Sequence, residues 1–171
     1  MLFRSVRALI ARRADVNATQ RDGTAALHWA VQREEVDIVG MLLSAGAKPD
    51  AVTPQGVTPL NLASLSGNTE AIRLLLRAGA NPRGRGPSGE TFLMLAARNG
   101  NPQAIAALLS AGVPVNAKEP VRETTALMWA VEQRHPEAVA ALIKGGADVG
   151  IKAGAAGTPR NYMASKVNIA D

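Results

Sequence analysis

The chain has 171 residues, 47% of them apolar but only 3% aromatic, and no cysteine, which excludes disulfides and cysteine-based zinc sites. Lysine and arginine outnumber aspartate and glutamate by 19 to 14, a net charge of +5 that admits an anionic partner without requiring one. No run approaches the roughly 18 consecutive apolar residues of a transmembrane helix, and Leu2 to Ile10 is interrupted by arginines and is no secretory signal.

In chain order, Phe3, Val6, Leu9 and Ile10 come first and take the core positions of an amphipathic helix. Ala14-Asp15-Val16-Asn17-Ala18 closes that segment, with Arg13 where later segments carry glycine. The chain therefore begins in mid-unit, and a longer parent protein is expected. Next comes Gly23-Thr24-Ala25-Ala26-Leu27-His28-Trp29-Ala30. The pattern returns as Gly56-Val57-Thr58-Pro59-Leu60-Asn61-Leu62-Ala63, as Gly89-Glu90-Thr91-Phe92-Leu93-Met94-Leu95-Ala96 and as Glu123-Thr124-Thr125-Ala126-Leu127-Met128-Trp129-Ala130. Its leucines at 27, 60, 93 and 127 step by 33, 33 and 34. Small turns centred on Gly46, Gly79, Gly112 and Gly146 keep the same steps, 33, 33 and 34. A fixed period of this length means a stacked array of small units, not one globular core.

Within a unit, the stretch after Leu60 predicts a helix of about two turns, a turn at Gly67-Asn68, and a second helix. Ala71, Ile72, Leu74, Leu75 and Leu76 give that second helix its apolar face, at i, i+3, i+4 spacing. Thr58 can cap the free amides of the first helix, and Pro59 suits its first turn, where an N–H would go unpaired. Gly79 is placed to end the second helix, since a left-handed C-terminal position costs glycine least.

These residues give the chain a family resemblance. Thr58-Pro59-Leu60-Asn61-Leu62-Ala63, the equivalent Gly23 to Ala30 with its motif histidine His28, and the closing turns at Ala14 to Ala18 and Ala45 to Ala47 resemble the signature of ankyrin repeats over roughly residues 2–159. The resemblance implies an all-α solenoid of stacked helix-turn-helix units with projecting β-hairpin loops. On this register a partial N-terminal repeat covers 1–19. Repeats follow over 20–52, 53–85, 86–119 with a one-residue loop insertion, and 120–152. A degenerate C-terminal half-repeat covers 153–171, where Thr158-Pro159 keeps the register but Arg160 replaces the leucine. The insertion lies within Asn116 to Arg122. With Glu123 in place of the usual glycine, that loop is expected to be shaped differently from the other fingers.

Nothing in the sequence points to catalysis, a cofactor or a metal. There are two histidines and no HExxH, no carboxylate cluster at ligand spacing, no glycine-elbow serine, and no Gly-Lys-Ser/Thr after Gly84-Arg85-Gly86. The resemblance implies that His28 bridges backbone groups between units. His135, before Pro136, is expected to be exposed. Trp29 and Trp129 align with Leu62 and Leu95, which argues for packing within the stack, with partial exposure at a groove as the rival. Arg73, Arg77, Arg83, Arg85 and Arg98 form a basic stretch opposed between 73 and 98 only by Glu90. Solvated faces are the simpler reading. An anion-binding finger at Arg83 to Gly86, built on two arginines of a flexible loop, is the sharper one.

The family resemblance implies a non-catalytic protein–protein interaction module of scaffold or adaptor type, in an array of bacterial style, binding through the concave helix face and loop tips. Mapped by register, the partner-binding positions are Arg21, Asp22, Thr24, Gln32 and Arg33 in the first full repeat, and Gln55, Val57, Leu65 and Ser66 in the second. Arg85, Glu90, Arg98 and Asn99 follow, then Arg122, Thr124, Glu132 and Gln133. The expected partner is another protein and the expected state a monomer. Rival readings are a targeting or regulatory segment of a larger enzyme, and an electrostatic binder of nucleic acid or acidic lipid through Arg73 to Arg98. The thiol-free composition suits the cytoplasm, with periplasm or secretion left open.

Overall fold

The computed structural model describes residues 2–154, with side chains from Val6 onward. The half-repeat expected over 153–171 lies outside the described residues from 155 on. Among the described residues the elements are helices α1 (Leu2–Ala11), α2 (Ala26–Gln32), α3 (Val36–Ser44), α4 (Pro59–Ser66), α5 (Thr69–Arg77), α6 (Phe92–Asn99), α7 (Pro102–Ser110), α8 (Ala126–Glu132) and α9 (Pro136–Lys144). They form two layers. The first helices α2, α4, α6 and α8 pack in chain order in one layer, and the second helices α1, α3, α5, α7 and α9 pack in chain order in the other.

Helices this short are marginal alone and are held by caps and packing. Thr58, Thr91 and Thr125 accept the N–H of Asn61, Met94 and Met128 at 3.2, 3.2 and 3.4 Å, so three of the four first helices start on the same hydroxyl cap. In α2 the cap position is Ala25, which has no hydroxyl to offer, and the His28 ring instead reaches back to the cap's own amide, its Nδ1 accepting the Ala25 N–H at 3.2 Å. The recurring leucines Leu27, Leu60, Leu93 and Leu127 are all buried, as are Leu42, Leu75, Leu108 and Leu142 of the second helices. Each unit closes its core against the next, so the core runs the length of the array.

Three backbone positions per unit lie in the left-handed region. Gly23, Gly56, Gly89 and Glu123 fill one, at φ between +53° and +83°. Glu34, Gly67, Gly100 and Arg134 fill the turn between helices, and Arg13, Gly46, Gly79, Gly112 and Gly146 follow the second helix. Glu123 thus adopts the same conformation as its glycine counterparts, contrary to expectation. The left-handed well is open to any residue at a modest steric cost. The fourth finger differs for another reason. The other three close by N–H to carbonyl bonds four residues apart, Gln20 to Thr24, Thr53 to Val57 and Gly86 to Glu90, whereas Glu119 bonds Thr124, five apart. The inserted residue therefore lies between Glu119 and Thr124. The hairpins expected of the fingers reduce to single antiparallel bridges, Thr19 with Ala25 and Arg85 with Thr91.

Candidate functional site: the first-helix face and the fingers

Neighbouring units are tied at both ends of the second helices. At one end, Asn17, Asp50, Arg83 and Asn116 share a register 33 residues apart and each reaches the following unit. Asn17 accepts the Lys48 N–H at 2.8 Å and donates to the Gly46 carbonyl at 2.9 Å. Asp50 accepts the Asn81 N–H at 2.9 Å, and Asn116 accepts the Asp148 N–H at 2.9 Å. Arg83 instead donates to the Gly112 carbonyl at 3.2 Å. At the other end, Asn101 donates to the Gly67 carbonyl at 2.8 Å, Asn99 to that of Leu65 at 3.4 Å, and His135 Nε2 to that of Arg98 at 3.1 Å. His135 is consequently half-buried, not exposed, with its ring where a Cβ on Gly100 would have to go.

These ties set the face on which most of the mapped positions fall. Arg21, Asp22, Gln32, Arg33, Gln55, Leu65, Ser66, Arg85, Arg98, Asn99, Glu132 and Gln133 are exposed. Thr24, Val57, Glu90 and Arg122 are half-buried. Asp22 folds back to accept the Thr24 N–H at 2.9 Å; that bond and one from the Thr24 hydroxyl hold its carboxyl below the ordinary value. Glu90 accepts the Ser88 N–H at 2.9 Å. Both carboxylates are thus partly committed to shaping their own fingers.

Thr124 is placed otherwise than the register suggests. It is buried, its N–H and hydroxyl donating to Glu119 Oε1 at 3.1 and 2.8 Å, while its hydroxyl oxygen accepts the Trp129 indole N–H at 2.8 Å. Glu119, a residue the sequence did not single out, is only 4% exposed and organises the finger. It also accepts the N–H of Val121 at 2.7 Å and of Arg122 at 2.9 Å. Burial alone would raise its pKa, but the donors from Thr124, Arg122 and Val121 outweigh it and hold the carboxyl at about 2. Its one sequence signal is its place at the base of the longer finger.

Of the two tryptophans, Trp129 packs against the core of the stack while staying partly open, and Trp29 takes the rival, exposed placement. Trp29 is 39% exposed and Trp129 is half-buried. Each carries an arginine over its ring, Arg33 at 5.9 Å and Arg122 at 5.8 Å from the centroid. Of their leucine counterparts, Leu95 is buried and Leu62 is half-buried like Trp129.

Arg83 and Arg85, both exposed, are anchored by backbone carbonyls. Arg83 spans to Gly112, and Arg85 donates to the carbonyls of Gly89 at 2.6 Å and Lys118 at 3.2 Å, pinning its finger to the next unit. His28 does bridge units, its Nε2–H donating to the Val57 carbonyl at 3.2 Å. Burial lowers its pKa, so the ring is neutral with both nitrogens assigned. Among the described residues, no three histidine or carboxylate side chains are grouped to hold a metal ion.

A family model described as ankyrin repeats (3 copies) matches residues 2–85 and again 79–153. Comparison with curated proteins gave no match.

Proposed function

Because the chain belongs to the ankyrin-repeat family, whose repeats are generally protein–protein interaction modules, we propose that it is a non-catalytic binding module of scaffold or adaptor type. Its partner docks on the face formed by α2, α4, α6 and α8 with the fingers beside them.

The observation that supports this reading best is where the chain spends its aromatic residues. It has only two tryptophans, and both lie on the first-helix face, each partly open and each under an arginine. Tryptophan and arginine are the side chains most enriched where partners dock, because they cover much apolar area and keep polar contacts. Leu65, 45% exposed, lies on the same face between them. Stable docking needs about 800 Å² per partner, which three or four adjacent units supply.

The test is a variant carrying Arg33→Ala, Leu65→Ala, Arg98→Ala and Gln133→Ala, all exposed positions. A partner captured by the unaltered chain from the source organism's lysate is expected to be lost from this variant, with helical signal and melting unchanged. Undiminished capture would move the binding surface elsewhere.

A further inference from the structure

Resting on that reading, we infer that the first-helix face takes an extended acidic peptide segment that carries two apolar anchors about eight residues apart. Trp29 and Leu65 expose apolar surface on the first two full units, and Trp129 is partly open on the fourth. Between them stands the third unit, where the register position of the tryptophans is the buried Leu95 and the exposed side chains are Arg98 and Asn99. The order along the array is therefore apolar, polar, apolar.

Positive charge, by contrast, runs along the whole face. Arg33 lies over Trp29, Arg98 is exposed in the centre, and Arg122 lies over Trp129. Among the described residues Arg33 and Arg98 make no ion pair, while Arg122 shares a 3.7 Å contact with Glu132. Of the carboxylates on or beside the face, Glu132 shares that contact with Arg122, while Asp22 and Glu90 accept backbone N–H groups of their own fingers. A guanidinium over an indole still directs N–H groups outward, so an anchor seated on the ring finds a cation beside it for an adjacent carboxylate.

The spacing comes from the stack. Packed helices lie about 8–10 Å apart, so three units separate the two rings by about 24–30 Å. An extended chain covers roughly 3.3 Å per residue, which gives about eight residues between anchors. A helical segment would need about twice as many, at ~1.5 Å per residue.

The two tryptophans make the site self-reporting, since no other tryptophan exists in the chain. Random 15-residue peptides displayed on phage would be selected on the unaltered chain and counter-screened on the four-position variant described above. Selected peptides would then be synthesised and titrated by intrinsic fluorescence. Binders lost on the variant are expected to be rich in Asp and Glu, with two aliphatic or aromatic residues seven to ten apart. They should shift the tryptophan emission and weaken about tenfold or more with Arg33→Glu or Arg98→Glu, and again on raising salt. Trp29→Ala is expected to cost a similar factor. Binders lost on the variant but basic, neutral or anchored at one point would overturn this inference and leave the docking face standing. Binders retained by the variant would overturn both. A library that yields none would overturn peptide recognition alone.

Discussion

Arg83 donates from Nη2 to the carbonyl of Gly112 at 3.2 Å, where the same register elsewhere carries Asn17, Asp50 and Asn116 as acceptors of a backbone N–H. The exception has a covalent cause. The N–H donors in the other units belong to Lys48, Asn81 and Asp148, and the equivalent residue is Pro114, which has none. An acceptor at position 83 would face no donor, so a donor to the remaining carbonyl is the productive choice.

A double-mutant cycle checks this account. Arg83→Asn alone should change stability by less than about 0.5 kcal/mol, since asparagine can keep the bond to the Gly112 carbonyl, as Asn17 does to Gly46, but finds no N–H at Pro114. In the Pro114→Lys background the same substitution should regain the Asn17–Lys48 arrangement. A favourable coupling of about 0.5–1 kcal/mol is expected from chemical denaturation. Additive effects would show that Arg83 is placed for some other reason.

Acid should unfold the array in two stages. His28 has a lowered pKa in the fold, so the unfolded chain takes up the proton first, and stability falls as pH drops below the ordinary histidine value of 6.5. Glu119 has a depressed pKa, so its contribution is complete above the ordinary 4.5 and is lost as pH falls from there through about 2. The buried, hydrogen-bonded carboxylate should contribute about 1.5–3 kcal/mol. His28→Asn should flatten the upper stage and Glu119→Gln the lower one in melting curves taken across pH.

Glu34 and Arg134 hold left-handed backbone, φ +59° and +61°, in the turn where Gly67 and Gly100 serve the other units. Glu34→Gly and Arg134→Gly should each stabilise the array by about 1 kcal/mol, because glycine enters this region without a Cβ penalty. The converse change, Gly100→Ala, should destabilise strongly, since a Cβ there meets the His135 ring at 2.6 Å. Thermal melts of the single variants decide both signs.

Asn61 stands where His28 stands one unit earlier, and its Nδ2 is buried without a hydrogen-bond partner. His28 reaches the carbonyl of Val57, whose counterpart one unit on is Glu90. Asn61→His should therefore form the missing bond to the Glu90 carbonyl and raise stability by about 1 kcal/mol. A lower melting temperature would mean that the ring does not fit beside Gly86.

Much of the fold could be read from sequence because its determinants are local. The Thr58 and Thr91 caps act over three residues, the second-helix apolar faces repeat every turn, and Leu27, Leu60, Leu93 and Leu127 keep one period. The face was legible only in outline. Register alone grouped Thr124 with the exposed positions, although a buried carboxylate and an indole claim both ends of its hydroxyl.

Sequence alone thus determined the unit, its helices and the order of the stack, all consequences of contacts within about four residues repeated at a constant interval. Tertiary structure decided which polar side chains are tied to the backbone of a neighbouring unit. Arg83, Arg85 and His135 are consumed by carbonyls 29, 33 and 37 residues away, while Arg33 and Arg98 are left to face solvent. That division depends on which backbone groups the neighbouring unit leaves unpaired, and no pattern confined to one repeat can supply it.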